Sequence, residues 1–88
     1  MTTFEEGKTT YSFIDENGEK ITITIEKWAA DLLQERLADV HKWIQDTYNR
    51  VCEKRSHLSR RKKGDVVRML AFREAEKNPK FQELISNL

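Results

Sequence analysis

Apolar and polar residues alternate between positions 9 and 25, then switch to helical spacing. In TTYSFIDENGEKITITI the apolar positions recur every second residue, the period of a half-buried strand. Asn17–Gly18 marks a turn, so the segment reads as a β-hairpin. Its register can be argued. A two-residue loop would set Phe13 opposite Thr22 and Ile14 opposite Ile21, scattering apolar side chains over both faces. A three-residue loop of Glu16, Asn17 and Gly18 sets Phe13 opposite Ile21, Tyr11 opposite Ile23 and Thr9 opposite Ile25. One face is then apolar and the other mostly polar. Asp15 suits the first position of a type I turn, and Gly18 the left-handed position after it. The three-residue loop is therefore expected.

A two-stranded hairpin is marginal alone and needs cover on its apolar face. The next segment offers it. From Trp28 the apolar residues fall at 28, 32, 33, 37, 40, 44, 48 and 51, one stripe at spacings of three and four. With no Gly or Pro inside, the spacing predicts a long helix over about 26–55. Trp28, Leu32, Leu37, Val40, Ile44, Tyr48 and Val51 should line its buried side, with Trp43 beside them. Ser56 and Ser59 are candidate caps, and Gly64–Asp65 is a second candidate break. A helix over about 60–77 follows. Asn78 as cap and Pro79 as first helical residue then start a last helix over 79–88.

The expected class is α+β: a hairpin (9–25) on a long amphipathic helix, followed by two shorter helices. Residues 9–88 form one small domain behind a flexible tail (1–8), from which Phe4 is the side chain expected to touch the domain. A helix of about 28 residues is roughly 42 Å long. The hairpin and two short helices would leave part of it bare near Trp43, so Trp43 is a candidate interface and a homodimer is one expectation.

Composition narrows the function classes. A chain of 88 residues buries only roughly 60–65% of its unfolded surface, which leaves little room for a deep catalytic pocket. No enzyme is expected, and no cofactor. One Cys and two His, His41 and His57, match no zinc spacing, so no metal is expected either. No phosphate loop, nucleophile elbow or metalloprotease motif is present. Asp31, Glu35 and Asp39 recur every four residues and read as solvated charge on a helix face. Cys52 cannot form an internal disulfide and reads as a small, partly buried side chain. Nothing resembles a secretory signal or a membrane span, so a cytoplasmic setting is expected.

Charge changes the picture most. The net charge is only +1, but Arg50 to Arg68 carries eight basic residues against Glu53 and Asp65. That stretch alone is +6, and the rest of the chain is −5. The candidate binding residues are Arg50, Lys54, Arg55, His57, Arg60, Arg61, Lys62, Lys63 and Arg68. Cations on the last turns of a helix suit its dipole, which accounts for Arg50, Lys54 and Arg55. It does not account for four successive cations at 60–63. An anionic partner would. The first expectation is a small regulator that binds nucleic acid, DNA or RNA, mainly through phosphates. The alternative is an inhibitor or adaptor of the phage or mobile-element kind that meets an acidic protein surface. The last helix carries few basic residues and does not look like a base-reading element.

Overall fold

The computed structural model describes residues 7–86. Over them the chain forms β1 (Lys8–Ile14), β2 (Lys20–Glu26), α1 (Lys27–Arg36), α2 (Val40–Lys54), α3 (Arg60–Glu76) and α4 (Pro79–Ser86). The class is α+β. The hairpin is antiparallel, with Phe13 opposite Ile21, Tyr11 opposite Ile23 and Thr9 opposite Ile25, the register of the three-residue loop. Asp15 builds the turn. Its Oδ1 accepts from the backbone N–H groups of Asn17 and Glu19, both at 2.8 Å, and its carbonyl accepts from Gly18 at 3.0 Å. Gly18 takes the positive φ, +78°, that the loop requires and that glycine adopts at no steric cost.

Of the expected tail, residues 1–6, with Phe4, lie outside the described residues. Lys8 is not tail: it opens β1 opposite Glu26, and its Nζ lies 3.5 Å from Oε1 of that residue.

The expected long helix is two helices. Leu37 is extended (φ −108°, ψ 134°), and Asp39 caps α2 by accepting from the Lys42 N–H at 3.0 Å. The apolar stripe continues through 33, 37, 40 and 44, so its period gives no sign of this corner. A straight rod of about 28 residues would carry half its stripe past a seven-residue hairpin. Breaking it lets both halves bury apolar residues: Ala29, Ala30, Leu32 and Leu33 from α1, and Val40, Ile44, Tyr48 and Val51 from α2. Trp28 and Leu37, expected inside, are half-buried at the margin. With α1 and α2 separate, no overlong helix leaves a bare strip for a second copy to cover. Trp43 is half-buried and packs against the core rather than standing out as an anchor.

Ser59 caps α3 by accepting from the Lys62 N–H at 3.2 Å. The helix runs unbroken through Gly64 and Asp65, so neither ends or starts one. Its buried side, Lys63, Gly64, Val67, Ala71 and Ala75, is mostly small, which lets α3 lie close to α1 and the hairpin. Asn78 pins α4. Its Oδ1 accepts from the Lys80 N–H at 3.0 Å, and its Nδ2 donates to the Leu32 carbonyl and Glu35, both at 3.1 Å. Trp28 packs between Phe72 and Phe81, with ring centres 5.9 and 6.1 Å away. Among the described residues, no helix is long and apolar enough to cross a membrane.

Candidate nucleic-acid interface

The nine candidate residues come from the end of α2, the turn after it and the first turns of α3. The fold places them in three settings.

Arg60 and Lys63 are held by the hairpin turn. They are three apart on α3 and so share a face. Arg60 Nε lies 2.9 Å from Asp15 Oδ2, and its Nη2 donates to the Lys20 carbonyl at 2.7 Å. The first contact is an ion pair without hydrogen-bond alignment, so that buried oxygen has no hydrogen-bond donor. Lys63 is buried, 5% exposed, and donates to Glu16 Oε2 at 2.6 Å. Tyr48, fully buried, donates its phenol to Glu16 Oε1 at 2.7 Å, and the Cys52 thiol lies 3.5 Å from Oε2. The Lys63 ammonium, then the Tyr48 hydroxyl, hold the Glu16 carboxyl well down, at about 2. Glu16 in turn holds Lys63 above its ordinary value. Burial pushes the Tyr48 phenol and the Cys52 thiol up, so this cysteine is not an activated nucleophile. The hairpin turn therefore engages both side chains, Lys63 buried and Arg60 half-exposed. The charge count hid this because their partners lie more than forty residues earlier.

Arg61 and Arg68 take a second setting. Seven apart, they line a groove of about 610 Å³ between α3 and β2, with Lys20, Thr22, Thr24, Gly64 and Asp65 among its other walls.

Arg50, Lys54, Arg55, His57 and Lys62 take the third, exposed around the corner between α2 and α3. Arg55 donates to the Lys54 carbonyl at 2.9 Å. None of these five side chains pairs with a carboxylate among the described residues.

That absence is selective. Eight of the sixteen Lys and Arg residues pair with a carboxylate among the described residues: Lys8, Lys27, Arg36, Lys42, Arg60, Lys63, Lys77 and Lys80. Six of the other eight fall between Arg50 and Arg68, and a seventh, Lys20, lines the groove beside them. The acidic residues at 31, 35 and 39 are used elsewhere. Asp31 pairs with Lys27, Glu35 with Lys80, and Asp39 caps α2. His41 stacks edge-on against Tyr11, with centres 5.1 Å apart. Among the described residues, no group of three or more His, Cys, Asp or Glu is placed to hold a metal ion.

The chain matches no protein-family model, no curated protein and no solved structure. Its chemistry is read from its own residues.

Proposed function

We propose that this protein is a small, non-enzymatic regulator that binds nucleic acid through phosphate contacts at the α2–α3 corner. The observation that carries the reading is the first turn of α3. Four cations sit at the positive end of a helix dipole, where cations are disfavoured, and that turn holds no acidic residue. Arg60 and Lys63 are offset by Asp15 and Glu16. Arg61 and Lys62 have no carboxylate partner among the described residues, and folding gives no reason to place them there. A phosphate would offset both the dipole and the charge.

Lys54, Arg55 and His57 extend the same exposed corner, with Arg50 one turn back on α2. Such cations displace the counterions of a polyanion and fix position on its backbone; they do not read bases. Little sequence preference follows. The test is fluorescence anisotropy with labelled DNA and RNA, duplex and single-stranded, at about 50 to 300 mM salt. Binding at the low end is expected, with loss in the variant Lys54→Glu/Arg55→Glu/Lys62→Glu. No binding at about 50 mM salt would remove the reading, and binding that survives the charge reversal would move the site elsewhere.

A further inference from the structure

We propose that the groove between β2 and α3 receives an extended, acidic segment of a partner protein, which adds to the sheet as a third strand. This surface adjoins the phosphate-binding corner and shares Arg61 with it, but the outward backbone groups of β2 that the inference rests on play no part in that reading.

Both edges of the hairpin carry outward backbone groups, and the β2 edge is the one that opens on the basic groove. In the pairing of β1 with β2, cross-strand hydrogen bonds join alternate residue pairs. Ile14 and Lys20 form a pair that turns outward: Gln45 bonds both backbone groups of Ile14 at 2.8 Å, and the Lys20 carbonyl faces Arg60. By alternation, Thr22 and Thr24 also point their N–H and C=O groups away from β1. They face the groove, and no described residue bonds them there. On the β1 edge Gln45 engages Ile14, as Arg60 engages Lys20 on the β2 edge. The β2 edge is left open beyond Lys20, the condition under which a strand can add.

The walls select the occupant. Among the described residues, Lys20, Arg61 and Arg68 are cations without a carboxylate partner, and the one acidic side chain lining the groove is Asp65. Arg61 and Arg68 stand about 10 Å apart along α3, a span of about three residues of extended chain. Gly64 lies between them, and a methyl group there would meet only Ile23 Cγ2, at 3.9 Å. Packing does not demand glycine, whose missing side chain keeps the wall low. The open edge offers donors and acceptors in alternation, which a peptide backbone matches. A phosphodiester backbone has acceptors alone and would leave the Thr22 and Thr24 carbonyls unpaired. A second copy pairing edge to edge would bring Lys20, Arg61 and Arg68 against their own equivalents.

The probe is a fluorescein-labelled peptide of alternating Glu and Val, about eight residues long, to match β2. Saturable binding to the full chain is expected. Affinity should fall at least about tenfold when alternate peptide amides are N-methylated, since that removes strand hydrogen bonds and leaves the charge. It should fall similarly with Arg61→Glu/Arg68→Glu, and with Thr22→Pro, which removes an outward N–H that the hairpin does not use. The N-methylated peptide tests the unaltered protein, so a misfolded variant cannot obscure the result. Three results would each overturn the proposal: no binding, equal binding of the N-methylated peptide, or a dimer by light scattering that Thr22→Pro converts to monomer. Binding of oligo-dT that is lost with Arg61→Glu/Arg68→Glu, while the peptide fails, would assign the groove to nucleic acid instead.

Discussion

Arg60 and Lys63 belong to the same run of four cations as Arg61 and Lys62, yet the fold treats the two pairs in opposite ways. The outer pair reaches the hairpin turn and is neutralised there by Asp15 and Glu16. The inner pair lies away from the turn, exposed and without a carboxylate among the described residues. A basic run is thus two devices. One joins α3 to the hairpin, and the other is charge that the fold leaves unsatisfied.

The sharpest way to break this contrast is to remove the carboxylate from the buried pair. Glu16→Ala leaves Lys63 buried with no counter-charge, a strongly destabilising situation. The midpoint of urea unfolding should fall clearly, while Arg61→Ala and Lys62→Ala leave it unchanged. Equal effects from all three would dissolve the distinction. Acid should probe the same pair. The Glu16 carboxyl ionises at about 2 in the folded protein, against an ordinary value of 4.5. Its contribution is complete above the ordinary value and is lost as pH falls from about 4.5 toward 2. In Glu16→Gln, thermal unfolding between those limits should show a shallower loss of stability than in the unaltered chain.

Smaller changes sharpen the picture. Tyr48→Phe keeps the buried ring and deletes its hydrogen bond to Glu16, so a loss of about 1–2 kcal/mol in urea denaturation is expected. The pH dependence should also weaken, because Glu16 would lose one of the two groups that lower it most. Gly64→Ala should act in the opposite direction. The added methyl meets Ile23 at an ordinary contact distance, and alanine favours the helix by about 0.5–1 kcal/mol. A loss of stability there would mean that packing, and not the groove, requires the glycine.

Much of the local structure was legible in the sequence. The hairpin register followed from the need to gather Tyr11, Phe13, Ile21, Ile23 and Ile25 on one face, because a shift of one residue moves every side chain across the sheet. Asn78–Pro79 and Ser59 marked helix starts by their own chemistry. The corner at Leu37–Asp39 was not legible from the stripe, since 33, 37, 40 and 44 keep helical spacing across it. Asp39 was the available signal, but it also fitted an acidic strip. The candidate site was legible as a charge total and not as pairs. Which cations are neutralised depends on where α3 meets the hairpin turn, through pairs 45 and 47 positions apart. The groove beside Thr22 and Thr24 depends on the same docking of α3 against the hairpin, which no local pattern in the sequence announces.

The corner cations without a carboxylate partner among the described residues are the ones expected to meet phosphates. The slope of log affinity against log salt measures this most directly, on duplex DNA, for the unaltered chain and for Lys54→Gln/Arg55→Gln/Lys62→Gln. Removing three phosphate contacts should flatten the slope by about 2.7, at 0.9 per contact, with no change in folding stability. Identical slopes for the two proteins, or an affinity indifferent to salt, would contradict the account.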